Sequence, residues 1–101
     1  MVQKHKVLFV RTDAQKPPSH QVTHIGGTMP DGTPWSISAE EAISSIQSGR
    51  FAFFMHREDQ GAERIVVAHN PVYGAFLRAE NDRQMPKRLM QLPEIEQNNH
   101  Y

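Results

Sequence analysis

The sequence predicts a small α+β domain, in which an antiparallel β-sheet carries one main α-helix packed on one of its faces. Only one segment of the 101 residues combines helical periodicity with helix start and stop signals. Six other segments are short and rich in β-branched or aromatic residues, as strands are. Turn residues separate most of these segments, and hairpin connections are typical of antiparallel sheets.

The helix is predicted between Ser38 and Gly49. Ser38 can cap the first turn while Glu41, three residues on, returns the hydrogen bond in a capping box. Ile43 and Ile46 recur at helical spacing, and Gly49 suits a left-handed C-terminal cap. A helix of about ten residues is marginal alone, so we expect its apolar face to dock on the sheet.

The strands are predicted over residues 4–12, 20–29, 33–37, 50–56, 64–69 and 75–79, with the helix between the third and the fourth. Trp35 and residues 51–54 are expected in the core, since large aromatic side chains bury well, and a ligand-stacking surface is the alternative. Residues 87–91 are predicted to form a helical turn that packs Leu89 and Leu92 on the fold. We expect one domain over residues 1–95 and a flexible tail over residues 96–101.

The stretch HIGGTMPDGTPW, residues 24–35, resembles a motif more than any other part of the chain. A phosphate-binding loop needs its glycines followed directly by a helix. Here Gly26 and Gly27 are followed instead by Pro-Asp-Gly at residues 30–32, which favours a hairpin turn. We therefore predict a strand bulge or close backbone packing at the two glycines, and phosphate binding stays the alternative.

Composition excludes several classes of function. Eleven Lys and Arg residues balance eleven Asp and Glu residues, so no field of one sign extends over the whole molecule, although a local patch can. The chain has no cysteine, and hence no thiol nucleophile or thiolate metal site, which fits a cytoplasmic location. No stretch approaches the roughly 20 apolar residues that span a bilayer, so no membrane partner is expected.

Six histidines raise the question of a metal site. His24, His56 and His69 fall in or at the end of predicted strands, and hairpin pairing could bring the last two together. No H-E-x-x-H motif exists and no thiolate can assist, so neither a metal nor a cofactor is predicted. The serines are explained by helix capping and the paired carboxylates by solvated positions. No catalytic residue is therefore predicted, and we expect the protein not to be an enzyme.

A basic segment near the C-terminus supplies the candidate binding residues. They are Tyr73, Arg78, Arg83, Lys87 and Arg88, with His69 upstream. Such cations beside an aromatic side chain can hold a phosphate or an acidic patch. The leading hypothesis is a non-enzymatic protein-interaction or regulatory module, which binds a partner protein or a second copy through a sheet edge or through residues 73–88. The alternative is weak binding of the nucleic acid phosphate backbone by the four cations.

Four features in order resemble a known family: the helix EEAISSIQSG, the strands after it, the segment GAFLRAEND and the closing LMQLP. The chain resembles the small bacterial proteins catalogued as domain of unknown function 3892. Members of that family carry a similar helix, a later [YF]-L-[RK] segment with a glycine before it, a nearby acid and a final L-x-x-L-P. The matching positions in this chain are Glu40, Glu41, Ala42, Ile43, Ile46, Gly49, Gly74, Phe76, Leu77, Arg78, Asp82, Leu89, Leu92 and Pro93. The resemblance covers residues 22–93. It implies a compact domain of bacterial origin and assigns no activity or catalytic residue.

Overall fold

The computed structural model describes residues 2–57 and 61–94, and within them it confirms the α+β fold. The elements in chain order are β1 (Gln3–Lys6), β2 (Phe9–Thr12), a 3₁₀ turn (Pro18–His20), β3 (Val22–Thr28), β4 (Pro34–Ser38), α1 (Ala39–Gln47), β5 (Phe51–Arg57), β6 (Gly61–Asn70), β7 (Gly74–Ala79) and a second 3₁₀ turn (Leu89–Gln91). The tail predicted over residues 96–101 lies outside the described residues.

The strands form two sheets where the sequence predicted one. One sheet has four strands in the order β1-β5-β6-β7, and the other has three in the order β2-β3-β4. β1 runs parallel to β5, whereas the other pairs are antiparallel. The predicted strand 4–12 breaks between β1 and β2, where the Val7 amide donates to the Phe54 carbonyl at 2.7 Å and the Leu8 amide to the Gly26 carbonyl at 2.8 Å. One extended segment thereby contributes a strand to each sheet.

Gly26 and Gly27 lie where the two sheets meet. A Cβ atom on Gly26 would overlap the Phe9 ring and lie 2.5 Å from the carbonyl oxygen of Trp35. A Cβ atom on Gly27 would overlap the carbonyl oxygen of Lys6, at the end of β1. Glycine is required at both positions because backbone approaches them too closely for a side chain, which confirms the prediction of close backbone packing.

The turn after β3 is a hairpin turn, as predicted. The Met29 amide donates to the Thr33 carbonyl at 2.8 Å, and Gly32 adopts a φ of 91° that favours glycine. The bulge interpretation of the two glycines is wrong, since the irregular register of β2 and β3 lies between Arg11 and Thr12. β4 follows the turn, so no helix begins directly after the glycines as a phosphate loop requires.

Helix α1 begins and ends as its sequence predicts. The Glu41 amide donates to Ser38 Oγ at 3.1 Å, and the Ser38 amide donates to Glu41 Oε1 at 3.5 Å, which completes the capping box. At the other end, Gly49 has a φ of 75°, and the Arg50 amide donates to the Ser45 carbonyl at 2.9 Å in a Schellman-type cap.

The core lies between α1 and one face of the strands. Its buried members are Val7, Val10, Val22, Ile25, Ala42, Phe53, Met55, Ile65, Leu77, Ala79 and Leu89. Trp35 and Phe51 pack against this cluster, as predicted. Phe54 does not, because strand residues alternate between faces and Phe54 lies opposite to Phe53. The prediction that residues 51–54 are all core is therefore wrong.

The C-terminal segment packs on the fold through the predicted turn. Leu89 is fully buried and Leu92 is partly buried against the core. The Val10 amide then donates to the Pro93 carbonyl at 2.8 Å, and the Thr12 amide to Glu94 Oε2 at 3.2 Å. These bonds cover the outer edge of β2.

Candidate functional site

The face of the four-stranded sheet that points away from α1 is here called the open face. It is formed by alternate residues of the four strands: Lys4, Lys6, Ala52, Phe54, His56, Ala62, Arg64, Val66, Ala68, Phe76 and Arg78. None of these residues belongs to the core cluster, and none is acidic. In the described part of the chain, no α-helix covers this face. The open face therefore presents cations beside partly exposed apolar side chains such as Phe54, whereas Ala52 and Phe76 are buried.

The centre of the open face is an aromatic ring between two cations. Phe54 is the register partner of Lys6 on β1 and of Arg64 on β6. The guanidinium carbon of Arg64 lies 5.7 Å from the centre of the Phe54 ring, within the range of a cation–π contact. Because neighbouring strands are about 4.8 Å apart, the backbones of Lys6 and Arg64 are separated by roughly 10 Å.

Two hollows lie on or beside the open face, and each has cations at its rim. The first, of about 310 Å³, is lined on this face by Lys4, Lys6, Phe54, His56 and Ala62. The second, of about 520 Å³, includes Ala68, Phe76, Arg78 and Arg83 in its lining. Arg83 follows β7 and thereby adds a fifth cation to the four that the strands supply.

Four of these cations are exposed to a ligand, and the fifth, Arg78, is partly buried. Among the described residues, Lys4, Lys6, Arg64 and Arg83 have no carboxylate partner. The Arg78 Nη1 atom donates to the backbone carbonyls of the turn after β7 at 2.7 to 3.0 Å. Carbonyl oxygens orient the guanidinium of Arg78 but do not neutralise it. All five cations can therefore attract an anion.

Arg88 holds the C-terminal segment to β6. Its Nε atom donates to Glu63 Oε1 at 3.1 Å, and Glu63 is only 4% exposed. The Asn81 amide donates to the other oxygen of Glu63 at 2.8 Å. Burial acts to raise the pKa of Glu63, but the Asn81 amide and the Arg88 guanidinium outweigh it, and the pKa lies below its usual value.

The five predicted binding residues do not come together in one place. Tyr73 precedes β7 whereas Arg78 lies near its end, about 17 Å further along the strand. Arg83, Lys87 and Arg88 line a different hollow, of about 570 Å³, so the structure brings these three together. Only Arg78 and Arg83 share a hollow beside the open face.

The histidines are placed apart by the strand register. His56 is opposite Ala62 on β6, and His69 lies seven residues beyond Ala62, about 23 Å along the strand. The expectation that hairpin pairing brings them together is therefore wrong. Within residues 2–57 and 61–94, no three side chains of the types that ligate metals form a group.

A further groove, of about 990 Å³, lies on the α1 side of the molecule. Its lining includes Arg11 and Lys16, but also Asp13 and Glu40. The mixed charge gives this groove no preference for an anion or a cation. The open face differs from it by carrying charge of one sign.

Lys4, Lys6 and Arg64 were missed by reasoning from the sequence. Their signal is the strand period of two, which puts Lys4 and Lys6 on one face of β1. That signal gains meaning only when β1 is known to pair with β5, which lies more than forty residues away along the chain.

Comparison with family models, with curated proteins and with solved structures gave no match. The resemblance to the bacterial family therefore stays a prediction. In the part of the chain that the structure describes, no helix is both long and apolar enough to cross a bilayer.

Proposed function

We propose that this protein is a non-enzymatic binding module whose open face binds nucleic acid through the phosphate backbone. The observation that carries the proposal is a sheet face with cations and no acid among its strand positions. Five cations surround an apolar centre: Lys4, Lys6, Arg64, Arg78 and Arg83. Neutralisation of phosphates by such cations releases counterions, which favours association.

The neutral net charge does not oppose this proposal, because most of the described acids lie away from the open face. Glu80 is the exception: it is exposed, and its amide donates to the Arg64 carbonyl at 2.8 Å. Glu40 and Glu41 stand at the start of α1, and Glu63 is buried beneath the opposite face of β6. Asp82 accepts backbone amides, including that of Ala79 at 3.0 Å. The strand positions of the open face thus carry cations and no carboxylate. The predicted binding is weak, since non-specific binding of the phosphate backbone has dissociation constants of the order of 10⁻⁴ to 10⁻⁶ M at physiological salt.

A titration by fluorescence anisotropy tests this proposal with a labelled thymidine 12-mer as the probe. The double variant Lys6→Gln, Arg64→Gln removes two cations of the open face. Each phosphate contact with a single strand changes the logarithm of the association constant by about 0.7 for a tenfold change in salt concentration. Loss of two such contacts is therefore expected to weaken binding roughly 25-fold at about 0.1 M salt.

The matched control is Lys16→Gln, Lys87→Gln, which changes net charge equally at exposed positions outside the open face. It is expected to bind as the wild type does. Equal weakening by both double variants would contradict the proposal, since the effect would then follow total charge and not this face. Absence of binding by the wild type at low salt would contradict it as well.

A second candidate is binding of a protein partner or a second copy at the turn between β6 and β7. Val72 is 77% exposed and Tyr73 is 56% exposed. Asn70 Oδ1 accepts the amides of both, at 2.8 and 3.0 Å, so the turn is held in place before a partner arrives. Exposed aromatic side chains of this kind are common anchors in interfaces. Protein binding at this turn would be unaffected by the Lys6→Gln, Arg64→Gln variant, which separates the two candidates.

The predicted route through a sheet edge has less structural support in the three-stranded sheet. Pro93 and Glu94 cover the outer edge of β2. Pro34 lies in the edge strand β4 and offers no amide donor there. Tyr73 is therefore the stronger candidate for contact with a protein.

We further propose a cytoplasmic location, which the cysteine-free composition supports. Bacterial origin is proposed on the family resemblance alone. The proposed function assigns no catalytic residue and no cofactor.

A further inference from the structure

We propose that the nucleic acid on the open face is single-stranded and that one of its bases stacks on the ring of Phe54. This inference rests on the proposed function, and it adds the class of ligand and the residue that selects it. Three features of the open face carry it: the position of the Phe54 ring, the contact with Arg64 and the hollow beside them.

Phe54 has a position that the core does not explain. It is only partly buried and lies outside the core cluster, although its neighbours Phe53 and Met55 are both core residues. A large aromatic ring held on a solvent-facing sheet is a platform on which a flat ligand can stack. Rigid strands on both sides, β1 and β6, fix the ring in place.

Arg64 shows that the Phe54 ring accepts a planar group. The guanidinium carbon lies 5.7 Å from the ring centre, and Arg64 is exposed. A base that takes the place of the guanidinium on the ring leaves Arg64 able to reach a phosphate. Lys6 stands on the other side of Phe54, so the two cations can hold the backbone on either side of the stacked base.

The hollow beside Phe54 has room for a base. Its volume is about 310 Å³, and Lys4 and Lys6 contribute to its lining. A cavity of about 150 Å³ is enough for a benzene ring. Aromatic and lysine side chains together provide a stacking surface and charge for the adjoining phosphate.

A duplex cannot use this combination of features. Its bases are stacked on one another inside the helix, so a flat sheet face meets only phosphates and sugars. A single strand can splay out one base and place it on a protein ring. The Phe54 ring can therefore stack on a base only when the nucleic acid is single-stranded, whereas the cations can bind the phosphates of a single strand or of a duplex.

The experiment compares a thymidine 12-mer with an abasic 12-mer of the same length and charge, by anisotropy, for the full chain. Stacking of one base is worth roughly 1–3 kcal/mol, so the wild type is expected to bind the thymidine strand about 5- to 150-fold more tightly. Phe54→Leu is expected to lose this preference and to keep its affinity for the abasic strand. Phe51→Leu, on the core face of the same strand, is the control and keeps the preference.

Equal affinity of the wild type for the two strands would overturn the stacking inference and leave the proposed phosphate binding intact. Persistence of the preference in Phe54→Leu would also overturn it, since another residue would then hold the base. Failure of the wild type to bind either strand would refute the proposed function, and the stacking inference with it.

Discussion

The substitution Gly27→Ala tests how the two sheets are joined. A Cβ atom at this position would overlap the carbonyl oxygen of Lys6, and it would lie 3.2 Å from the indole of Trp35. The carbonyl belongs to the end of β1, whose hydrogen bonds to β5 fix it. The overlap can therefore be relieved only by moving one sheet relative to the other.

The expected cost of Gly27→Ala follows from the overpacking of a close contact. Inserting one methyl group into a packed site destabilises by roughly 1–3 kcal/mol. In a domain of this size, each kcal/mol lowers the melting temperature by about 4–8 °C. Thermal and urea unfolding, followed by circular dichroism, measure both quantities. The control is Gly49→Asn, at a helix end with a φ of 75° and no atom near its missing Cβ, where asparagine is tolerated.

A loss below about 0.5 kcal/mol for Gly27→Ala would refute this reasoning, because surface substitutions away from structural constraints change stability by that amount. The phosphate-loop alternative makes the opposite prediction. A glycine kept for ligand access would be replaced with little effect on stability and with loss of anion binding.

Two further predictions concern the helix cap and the buried carboxylate. Ser38→Ala is expected to lower the free energy of unfolding by about 0.5–2 kcal/mol, because it removes the N-terminal cap of α1. The control is Ser36→Ala, at an exposed position of β4, which is expected to have little effect. Equal losses of stability in urea unfolding would contradict the capping role of Ser38. The pKa of the Glu63 carboxyl is lower in the folded state than in the unfolded state, where it is about 4.3. The ionised carboxylate therefore stabilises the fold above that pH, and this stabilisation is lost as the pH falls through the folded pKa. Urea unfolding is therefore expected to show that the wild type loses stability relative to Glu63→Gln as the pH falls from about 7 to about 3. A difference in the free energy of unfolding between the two proteins that does not depend on pH would contradict this prediction.

Local signals made α1 predictable from the sequence. Ser38, Glu41 and Gly49 act on backbone groups within a few residues, so their spacing alone determines where the helix begins and ends. The hairpin turn at residues 30–32 is equally local. The same holds for Leu89, whose apolar side chain in a polar segment predicted its burial.

The break between β1 and β2 could not be predicted in this way. Residues 4–12 are continuous in strand character, and the break exists because Val7 and Leu8 pair with different sheets. Pairing between distant strands depends on the whole chain. Val7 and Leu8 are apolar like the residues that follow them, so nothing in the sequence marks the break. The division into two sheets was therefore missed together with the parallel partner of β1.

The predicted binding residues lie apart in the fold for a related reason. Closeness along the chain grouped Tyr73 with Arg88, although the fold directs Arg88 to Glu63 and leaves Tyr73 on a distant turn. The cations of the open face are spread over four strands and gather only through the register of the sheet. Phe54 was predicted in the core with the whole run of residues 51–54, whereas strand alternation places it on the other face.

The most direct test of the open face is the dependence of single-strand affinity on salt. With five phosphate contacts, the logarithm of the association constant is expected to fall with the logarithm of salt concentration at a slope of about −3.5. The Lys6→Gln, Arg64→Gln variant is expected to reduce that slope to about −2.1, since two contacts are lost. An unchanged slope in this variant, or a wild-type slope near zero, would contradict the account.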